Sequence, residues 1–473
     1  MIVATALPTI VGDLGGLDHL SWVVTSYVLA VTISTPVYGK LGDMYGRKPV
    51  FLAAILVFLA GSVFAAVSQS MDQLILSRAA QGLGAGGLLV GAQAIIADIV
   101  PPRYRGRYMG LFGAVFVAAS LAGPLLGGFF VDTLTWRWIF WVNLPIGAVA
   151  IAIVVSRLHV HVPTVSHRID VLGIALMTVA VTLLTLLTTW GGTRYEWGST
   201  EIVALAAISG ALALVFVWWE TRAEEPLLPL ALFRSRMMRL SSAISFTIFM
   251  PMFGALIFVP LLLQIVYSDS PTKSGLRMIP QIVCVTLASM ISGRLITRLG
   301  RYKAFPIIGC SLLVLGMYLL SRLHESTSPA IVSVYAAIIG VGIGCTVQPV
   351  VLVAQNDSPP GAMGVTTSTV SFFRSLGGAF GVALFGTIFA TRLAAANPGA
   401  SVHLTPGEVR KLQPSAHAQF VHAFVHSLHG VFLVGAAIAV VPLVLSCLLS
   451  EVPLRTTHHV EEDIDVLSPV SEP

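Results

Sequence analysis

Opposite charges and glycines occur together in one short segment near the start of the chain, Gly39-Lys-Leu-Gly-Asp-Met-Tyr-Gly-Arg-Lys48. Glycine has no Cβ, so Gly39 and Gly46 allow two helix ends to approach closely. Asp43 and Arg47 place opposite charges at the same turn. This combination suits a conformational latch that locks and releases as parts of the protein move. The alternative is that Arg47 and Lys48 only fix the orientation of the chain in a membrane.

A second candidate is Arg78, which lies inside an apolar stretch. A charge within a membrane-spanning segment is costly and is by default a candidate functional site. Gln81 follows three residues later and shares its helix face. The alternative is that Arg78 extends to the membrane surface from near Gln73.

A proline flanked by small residues forms a third candidate, Gly123-Pro124-Leu-Leu-Gly127-Gly128. Pro124 removes a backbone donor and bends a helix. Gly123 and Gly127 have the spacing of small residues that allows close helix packing. Packing alone would also explain this pattern.

Residue sets for other chemistries are incomplete. His422, His426 and His429 share a helical face, but no cysteine or carboxylate completes a metal site, so a solvated or interfacial surface is favoured. The four cysteines lie in apolar stretches and are expected to be buried thiols. The sequence has no phosphate-binding Gly-x-x-x-x-Gly-Lys-Ser/Thr loop and no nucleophile–base pair. We therefore expect neither an enzyme nor ATP as the energy source, and no cofactor.

Long apolar helices must position these residues. Of the 473 residues, 56% are hydrophobic and 10% are charged, whereas soluble domains have about 25% charged residues. Lipid offers no partner for backbone polar groups, so only helices or a barrel fit. A barrel needs short alternating segments. Runs such as Val50–Ser68 and Val171–Trp190 instead approach the roughly 20 apolar residues of a spanning helix.

The apolar runs predict thirteen spans, preceded by an apolar stub, Met1–Val11, which is too short to cross a membrane and is interpreted as the end of a helix. The predicted spans are Leu20–Tyr38, Val50–Ser68, Gln73–Ile96, Met109–Val131, Trp138–Ser156, Val171–Trp190, Ile202–Trp219, Leu240–Val266, Met278–Leu295, Ala304–Leu320, Ala330–Ala354, Val365–Ala390 and Gly430–Ser450.

Basic residues predict the orientation. If the turn with Lys40, Arg47 and Lys48 is cytoplasmic, the loops on that side hold 17 of the 27 lysines and arginines. Cytoplasmic loops are enriched in these residues, and the opposite orientation would invert the bias. The C-terminal tail is then cytoplasmic, and its polar, acidic composition predicts disorder.

The Gly39–Arg47 segment has an internal counterpart. Gly293-Arg-Leu-Ile-Thr-Arg-Leu-Gly-Arg301 repeats the order Gly-basic-Leu, four residues, Gly-Arg. The two segments lie eight spans apart, an even number that preserves orientation. Parallel repeats of this kind are typical of transporters, although chance similarity of two basic turns is the alternative.

These motifs resemble those of the major facilitator superfamily, in particular its fourteen-helix drug:proton antiporter branch. Segments Trp136–Gly147 and Arg374–Gly381 are similar to the same branch. The resemblance implies that Asp98 is the acidic partner in the latch, with Arg107 in the basic segment that follows. It also implies a proton-coupling role for Arg78 and Gln81, and an antiporter role for the segment Gly123–Gly128.

The resemblance implies an all-α polytopic membrane protein with the major facilitator fold. Two six-helix bundles, at 1–156 (with the first helix only partly present) and 237–450, would flank two additional helices in 157–236, with a tail at 451–473. The expected function is proton-coupled multidrug efflux by alternating access, and so antibiotic resistance. The partners would be a small-molecule substrate, protons and the lipid bilayer, with no nucleic acid, for a monomer in the plasma membrane.

One departure from the branch keeps other functions open. Ala4–Pro8 resembles the end of a first-helix motif that carries an Asp several residues earlier in relatives, and the chain begins after that position. The Asp and Glu residues also avoid the middle of every predicted span. The alternatives are an uncoupled facilitator of a native metabolite or lipid, a sensor that does not transport, and a nonfunctional truncated paralogue.

Overall fold

In the computed structural model, nearly all described residues between 20 and 447 are helical. The structure describes residues 3, 6, 9–10, 13–14, 20–158, 169–192, 195–269, 271–359, 361–396, 409 and 413–454; several side chains in these ranges, many of them between 102 and 132, are not described. The helices are α1 (Leu20–Tyr45), α2 (Arg47–Ala66), α3 (Met71–Ile99), α4 (Pro102–Thr133), α5 (Trp138–Trp141), α6 (Asn143–Arg157), α7 (Val171–Trp190), α8 (Thr200–Glu220), α9 (Arg236–Val266), α10 (Pro271–Leu299), α11 (Ala304–Leu320), α12 (Pro329–Asn356), α13 (Met363–Ala396) and α14 (Pro414–Cys447).

The thirteen predicted spans all coincide with helices, and the predicted fold class is confirmed. Among the described residues, eleven helical stretches are long and apolar enough to cross a membrane. The largest difference in boundaries is at the last helix, which begins at Pro414 and not at Gly430, because the histidines before Gly430 are compatible with a helix. The predicted span Trp138–Ser156 matches the helical stretch Trp138–Arg157. A single-residue interruption at Val142 lies within it, since Pro145 cannot donate to the carbonyl four residues earlier.

Most helices of each predicted bundle pack on one another, whereas α4 packs mainly on α10 of the second bundle. In the first bundle, α3 packs on α1 and α2. In the second, α12 packs on α10 and α11, while α9 packs on α13 and α14. The additional helices α7 and α8 pack together, and α7 also contacts α1 and α13. Two main seams join the bundles, one between α1 and α13 and the other between α4 and α10.

The two repeated segments adopt the same local structure. Gly46 separates α1 from α2 with a φ of 89°, and Gly300 follows α10 with a φ of 69°. Such values fall in the left-handed region that glycine adopts without steric cost. The shared turn supports the internal repeat that the sequence predicts.

Two predictions fall mostly outside the described residues. These are the Ala4–Pro8 motif, apart from Ala6, and the tail from 455 onward. The described part of the N-terminal segment includes Val3, Ala6 and Ile10, which are buried against the neighbouring helices.

Candidate functional site

The turn between α1 and α2 places Arg47 between two carboxylates. Arg47 is the first residue of α2 and is 6% exposed. Its guanidinium donates to Asp43, one helical turn before it in α1, and its Nε donates to Asp98 of α3 at 2.7 Å. We call Asp43, Arg47 and Asp98 the latch, and the end of the helix bundle that holds them the latch end.

The latch also contacts the second bundle. The two carboxylate oxygens of Asp43 accept hydrogen bonds from the backbone N–H of Gly364 (3.0 Å) and Val365 (2.7 Å). Both donors are in the first turn of α13, where unpaired N–H groups and the helix dipole favour a negative charge. Gly39 makes this contact possible, because a Cβ there would lie 2.7 Å from the carbonyl oxygen of Gly364. Asp43 therefore joins the two bundles directly.

The remaining predicted latch residues lie around this centre. Lys48 is partly exposed and donates to the carbonyl of Val155, near the end of α6, at 2.9 Å. Lys40 forms an ion pair with Glu225, in the segment that follows α8, at 3.2 Å. Arg107 is exposed on α4.

Sequence reasoning did not single out Arg105, which is the buried arginine of the α4 segment. Arg105 is 1% exposed, and it donates to the carbonyls of Val100 (2.7 Å) and Ala97 at the end of α3. Its NH1 also lies 4.0 Å from the sulfur of Met363, the first residue of α13. The rotation of α4 about its own axis decides that Arg105, and not Arg107, faces the interior of the protein. The sequence contains no signal for that rotation.

A glycine contact holds the second seam at the latch end. Gly106 of α4 and Gly293 of α10 are both buried, and a Cβ on Gly106 would lie 2.6 Å from the Gly293 carbonyl oxygen. The helix backbones touch here, as small residues at helix interfaces allow.

Arg78 is buried in the first bundle and does not extend to the membrane surface. It is 8% exposed, its Nε donates to the carbonyl of Val23 at 3.2 Å, and its NH1 donates to Gln81. The guanidinium also lies over the Tyr27 ring, 4.1 Å from its centroid. The surface alternative is wrong because these partners, on α1 and α3, satisfy the charge internally.

The hydrogen bonds continue from Gln81 across the bundle. Gln81 Nε2 donates to Ser62 Oγ of α2 at 2.7 Å, and Asn143 Nδ2 of α6 donates to the same oxygen at 3.2 Å. Ser62 is fully buried. Arg78 and Gln81 thus belong to one polar network that links four helices.

The glycine–proline motif lies within α4. Gly123 and Gly127 are buried, whereas Gly128 is partly exposed and has open space where a Cβ would be. The side chain of Pro124 lies outside the described residues.

Trp136 is buried, and its Nε1 donates to Asp13 at 2.9 Å. His422, His426 and His429 lie in α14, as their helical spacing predicts, and His429 is half-buried and contacts the carbonyl oxygen of Leu323. Of the four cysteines only Cys310 is buried and Cys447 is exposed, so the expectation of four buried thiols is wrong. Among the described residues, no cluster of three or more histidines, cysteines or carboxylates could hold a metal ion.

A cavity of about 710 Å³ lies near the end of the bundle opposite the latch. It is bordered by the first halves of α10 and α12, which begin at that end. The lining is mainly aliphatic, with Arg277, Cys284, Ser328 and Ser333 as polar members. Sequence reasoning did not predict this cavity, because its lining comes from separate helices.

Comparisons with known proteins agree with this architecture. The Major Facilitator Superfamily sequence profile matches residues 1–382. An uncharacterized MFS-type transporter of Mycobacterium tuberculosis is 43% identical over 98% of this chain and 69% of its own length. The multidrug transporter protein MdtP of Bacillus subtilis is 36% identical over 83% of this chain and 72% of its own.

A solved structure, that of the proton:xylose symporter XylE, is similar in fold. It superposes with a TM-score of 0.63 at 13% identity, covering 98% of this chain and 94% of its own. The family profile over residues 1–382 and the identity to these relatives lead to one conclusion: this chain belongs to the major facilitator superfamily.

Proposed function

We propose that this chain is a secondary active exporter of the fourteen-helix drug:proton antiporter branch, which moves drug-like or amphipathic compounds by alternating access. The observation that carries the proposal is the bridge from Asp43 to the first turn of α13, because it joins the two bundles at one end through hydrogen bonds alone, with no covalent link to prevent their separation. The proposed location is the plasma membrane, with the latch end and the C-terminus in the cytoplasm.

Alternating access requires the two ends to open in turn. At the latch end the bundles touch through Asp43 and through the Gly106–Gly293 contact. At the other end there is a cavity of about 710 Å³, within the size range of small-molecule sites. The proposed state is therefore closed to the cytoplasm, and breaking the latch would convert it to the state that loads substrate.

Two observations support the proposed cargo: the residues that line the cavity, and the name of a relative. An aliphatic cavity with a few polar groups suits amphipathic molecules of varied shape. MdtP, a relative at 36% identity, is named a multidrug transporter.

Proton coupling is proposed through the first bundle. Arg78 carries a charge inside α3, about 10 Å from its start at 1.5 Å per residue. Changes in its partners during transport would be transmitted through Gln81 to Ser62 and Asn143. An uncoupled facilitator is the second candidate, since the described residues of the helices hold no Asp or Glu away from the helix ends.

An efflux assay tests both proposals. The chain is expressed in a bacterial strain that lacks its own multidrug pumps, and accumulation of a panel of fluorescent dyes is followed with and without a protonophore. Reduced accumulation that the protonophore abolishes is expected; dye equilibration that the chain accelerates equally with and without the protonophore would indicate the facilitator. No change in accumulation, with the protein present in the membrane, would overturn the exporter proposal.

Substitution of Arg78 by Gln tests the coupling residue. The variant should lose dye export while remaining folded in the membrane. Arg322→Gln is the matched control, because Arg322 is exposed and lies over the ring of Tyr318 at the end of the bundle opposite the latch.

A further inference from the structure

Arg374 differs from the other arginines inside the bundle. It lies eleven residues after the start of α13, about 16 Å along the helix. Within the described part of the chain its only assigned contact is with the ring of Phe249, 5.4 Å from the guanidinium carbon to the ring centroid. Arg47 has two carboxylates, and Arg78 has a carbonyl and an amide.

An unused guanidinium at this depth requires an acceptor. It offers five N–H donors in a planar fork, and a charge inside a membrane-spanning helix is costly unless it is paired. The carboxylates of the described helices lie near helix ends and are distant along the chain from residue 374. Arg374 is nevertheless half-buried and not sealed, so an acceptor from outside the protein can reach it.

Aromatic rings surround this part of the interface between α9 and α13. Phe249 and Phe253 have ring centroids 6.2 Å apart, and Phe246 and Phe380 have centroids 5.6 Å apart. All four rings are at least partly exposed. They provide apolar surface beside a single positive charge.

A hydroxyl group adds a second unused donor. Ser371 lies three residues before Arg374, on the same helix face. Its Oγ is buried and has no hydrogen-bond partner among the described residues. Together the two side chains offer donors and no acceptor other than the hydroxyl oxygen itself.

We propose that Arg374 binds the acidic group of the transported compound, and that the cargo class is therefore organic anions with an aromatic or aliphatic body. The inference rests on the proposed export function, and it names the substrate class of that function. A carboxylate or sulfonate would accept two parallel hydrogen bonds from the guanidinium fork. The phenylalanines of α9 and α13 would pack on the apolar body.

The test compares two probes that share the pyrene body and carry headgroups of opposite charge. Pyrene carrying a butanoate chain is the anion, and pyrene carrying a butyl-trimethylammonium chain is the cation. Binding to the purified full chain, in nanodiscs of zwitterionic phosphatidylcholine, is followed by fluorescence anisotropy, so no anionic lipid competes. The wild type should bind the anion at least about tenfold more tightly than the cation.

Variants of Arg374 then test whether this residue causes the preference for the anion. Arg374→Gln should weaken anion binding about ten- to a hundredfold and leave cation binding unchanged or tighter, because the charge-assisted hydrogen bonds are lost. Arg374→Lys keeps the charge without the fork and should be intermediate. Arg322→Gln, the control, should match the wild type.

The following results would contradict the inference. Equal wild-type affinity for both probes, or no anion binding, would overturn it even if a variant failed to fold. Unchanged anion binding in Arg374→Gln would do the same. Transport into proteoliposomes distinguishes failure of this inference from failure of the export proposal. If the wild type binds the anion but moves neither probe, export fails and recognition stands. If it moves the cation but not the anion, the inference fails and export stands.

Discussion

Substitution of Asp43 by Asn should open the latch end of the bundle. The two oxygens of Asp43 accept from different backbone N–H groups, those of Gly364 and Val365. Asparagine has one acceptor oxygen, and its NH₂ group would face the other N–H donor. One hydrogen bond to α13 is therefore lost, together with the charge that favours the helix N-terminus.

The size of the effect follows from these contacts. A hydrogen bond to a charged group contributes about 1.5–3 kcal/mol, and the interaction with the helix dipole adds about 0.3–1 kcal/mol. The Asp43 side chain is 8% exposed, so solvent screens these interactions little. The closed latch end should lose about 2–4 kcal/mol, which shifts the equilibrium between closed and open about thirty- to several-hundredfold.

Distances between spin labels measure this shift. One label is placed at Tyr45, at the end of α1, and the other at Leu299, at the end of α10; both positions are exposed and lie at the latch end. The four native cysteines are replaced beforehand. Pulsed electron paramagnetic resonance should show one main distance in the wild type and a second, longer distance in Asp43→Asn.

Asp170→Asn is the matched control. Asp170 also accepts from the N-terminal turn of a helix, at Gly173 of α7 (2.8 Å), and from Trp219 of α8 (2.9 Å). These contacts stay within the additional helix pair, so the label distances should not change. An unaltered distribution in Asp43→Asn, or an equal shift in Asp170→Asn, would refute the role of the bridge.

Two further substitutions test the glycine seam and the end of the second bundle. Gly106→Ala should push α4 away from α10, since its Cβ would lie 2.6 Å from the Gly293 carbonyl oxygen. Thermal unfolding should show that the free energy of unfolding falls by about 1–3 kcal/mol. Gly128→Ala is the control and should match the wild type, because there is open space around Gly128. Tyr302→Phe removes the hydrogen bond to the Ser450 carbonyl (2.7 Å) and should cost about 1 kcal/mol. Burial raises the pKa of Tyr302, so the stabilisation by its proton is complete below the ordinary pKa of about 10 and is lost as pH rises through the raised value. The free energies of unfolding of the wild type and Tyr302→Phe should therefore become equal only in alkaline buffer. Equal free energies near neutral pH would contradict this.

The helices were predictable because bilayer thickness fixes the length of apolar runs. The positions of charged turns were predictable for the same reason. The partners of Asp43 were not, because backbone N–H groups at residues 364 and 365 have no sequence signature and lie 321 and 322 residues away. The partner of the Trp136 indole, the carboxylate of Asp13, lies likewise 123 residues earlier. Composition reports the environment of a helix, but not which face of it meets which neighbour.

The internal repeat explains why the two seams differ in chemistry. Aligning Gly39 with Gly293 places Asp43 opposite Thr297, whose hydroxyl donates to the carbonyl of Gly293 within its own helix. The second copy therefore has no carboxylate to accept from a helix N-terminus. Its seam, between α4 and α10, instead closes by backbone contact between glycines.

Both seams contain a glycine contact, Gly39–Gly364 in the first and Gly106–Gly293 in the second, but only the first adds a charged side chain, so they should respond differently to the medium. The Asp43 bridge depends on charge, whereas the Gly106–Gly293 contact depends on shape alone. The methyl group added by Gly106→Ala disrupts the second seam in every buffer, whereas Asp43→Asn disrupts the first seam by removing its charge. Combining Asp43→Asn with Gly106→Ala therefore distinguishes two mechanical arrangements. Seams that open as one rigid motion give a shift in label distance smaller than the sum of the single shifts, since either substitution already releases both. Additive shifts would mean that each seam opens independently.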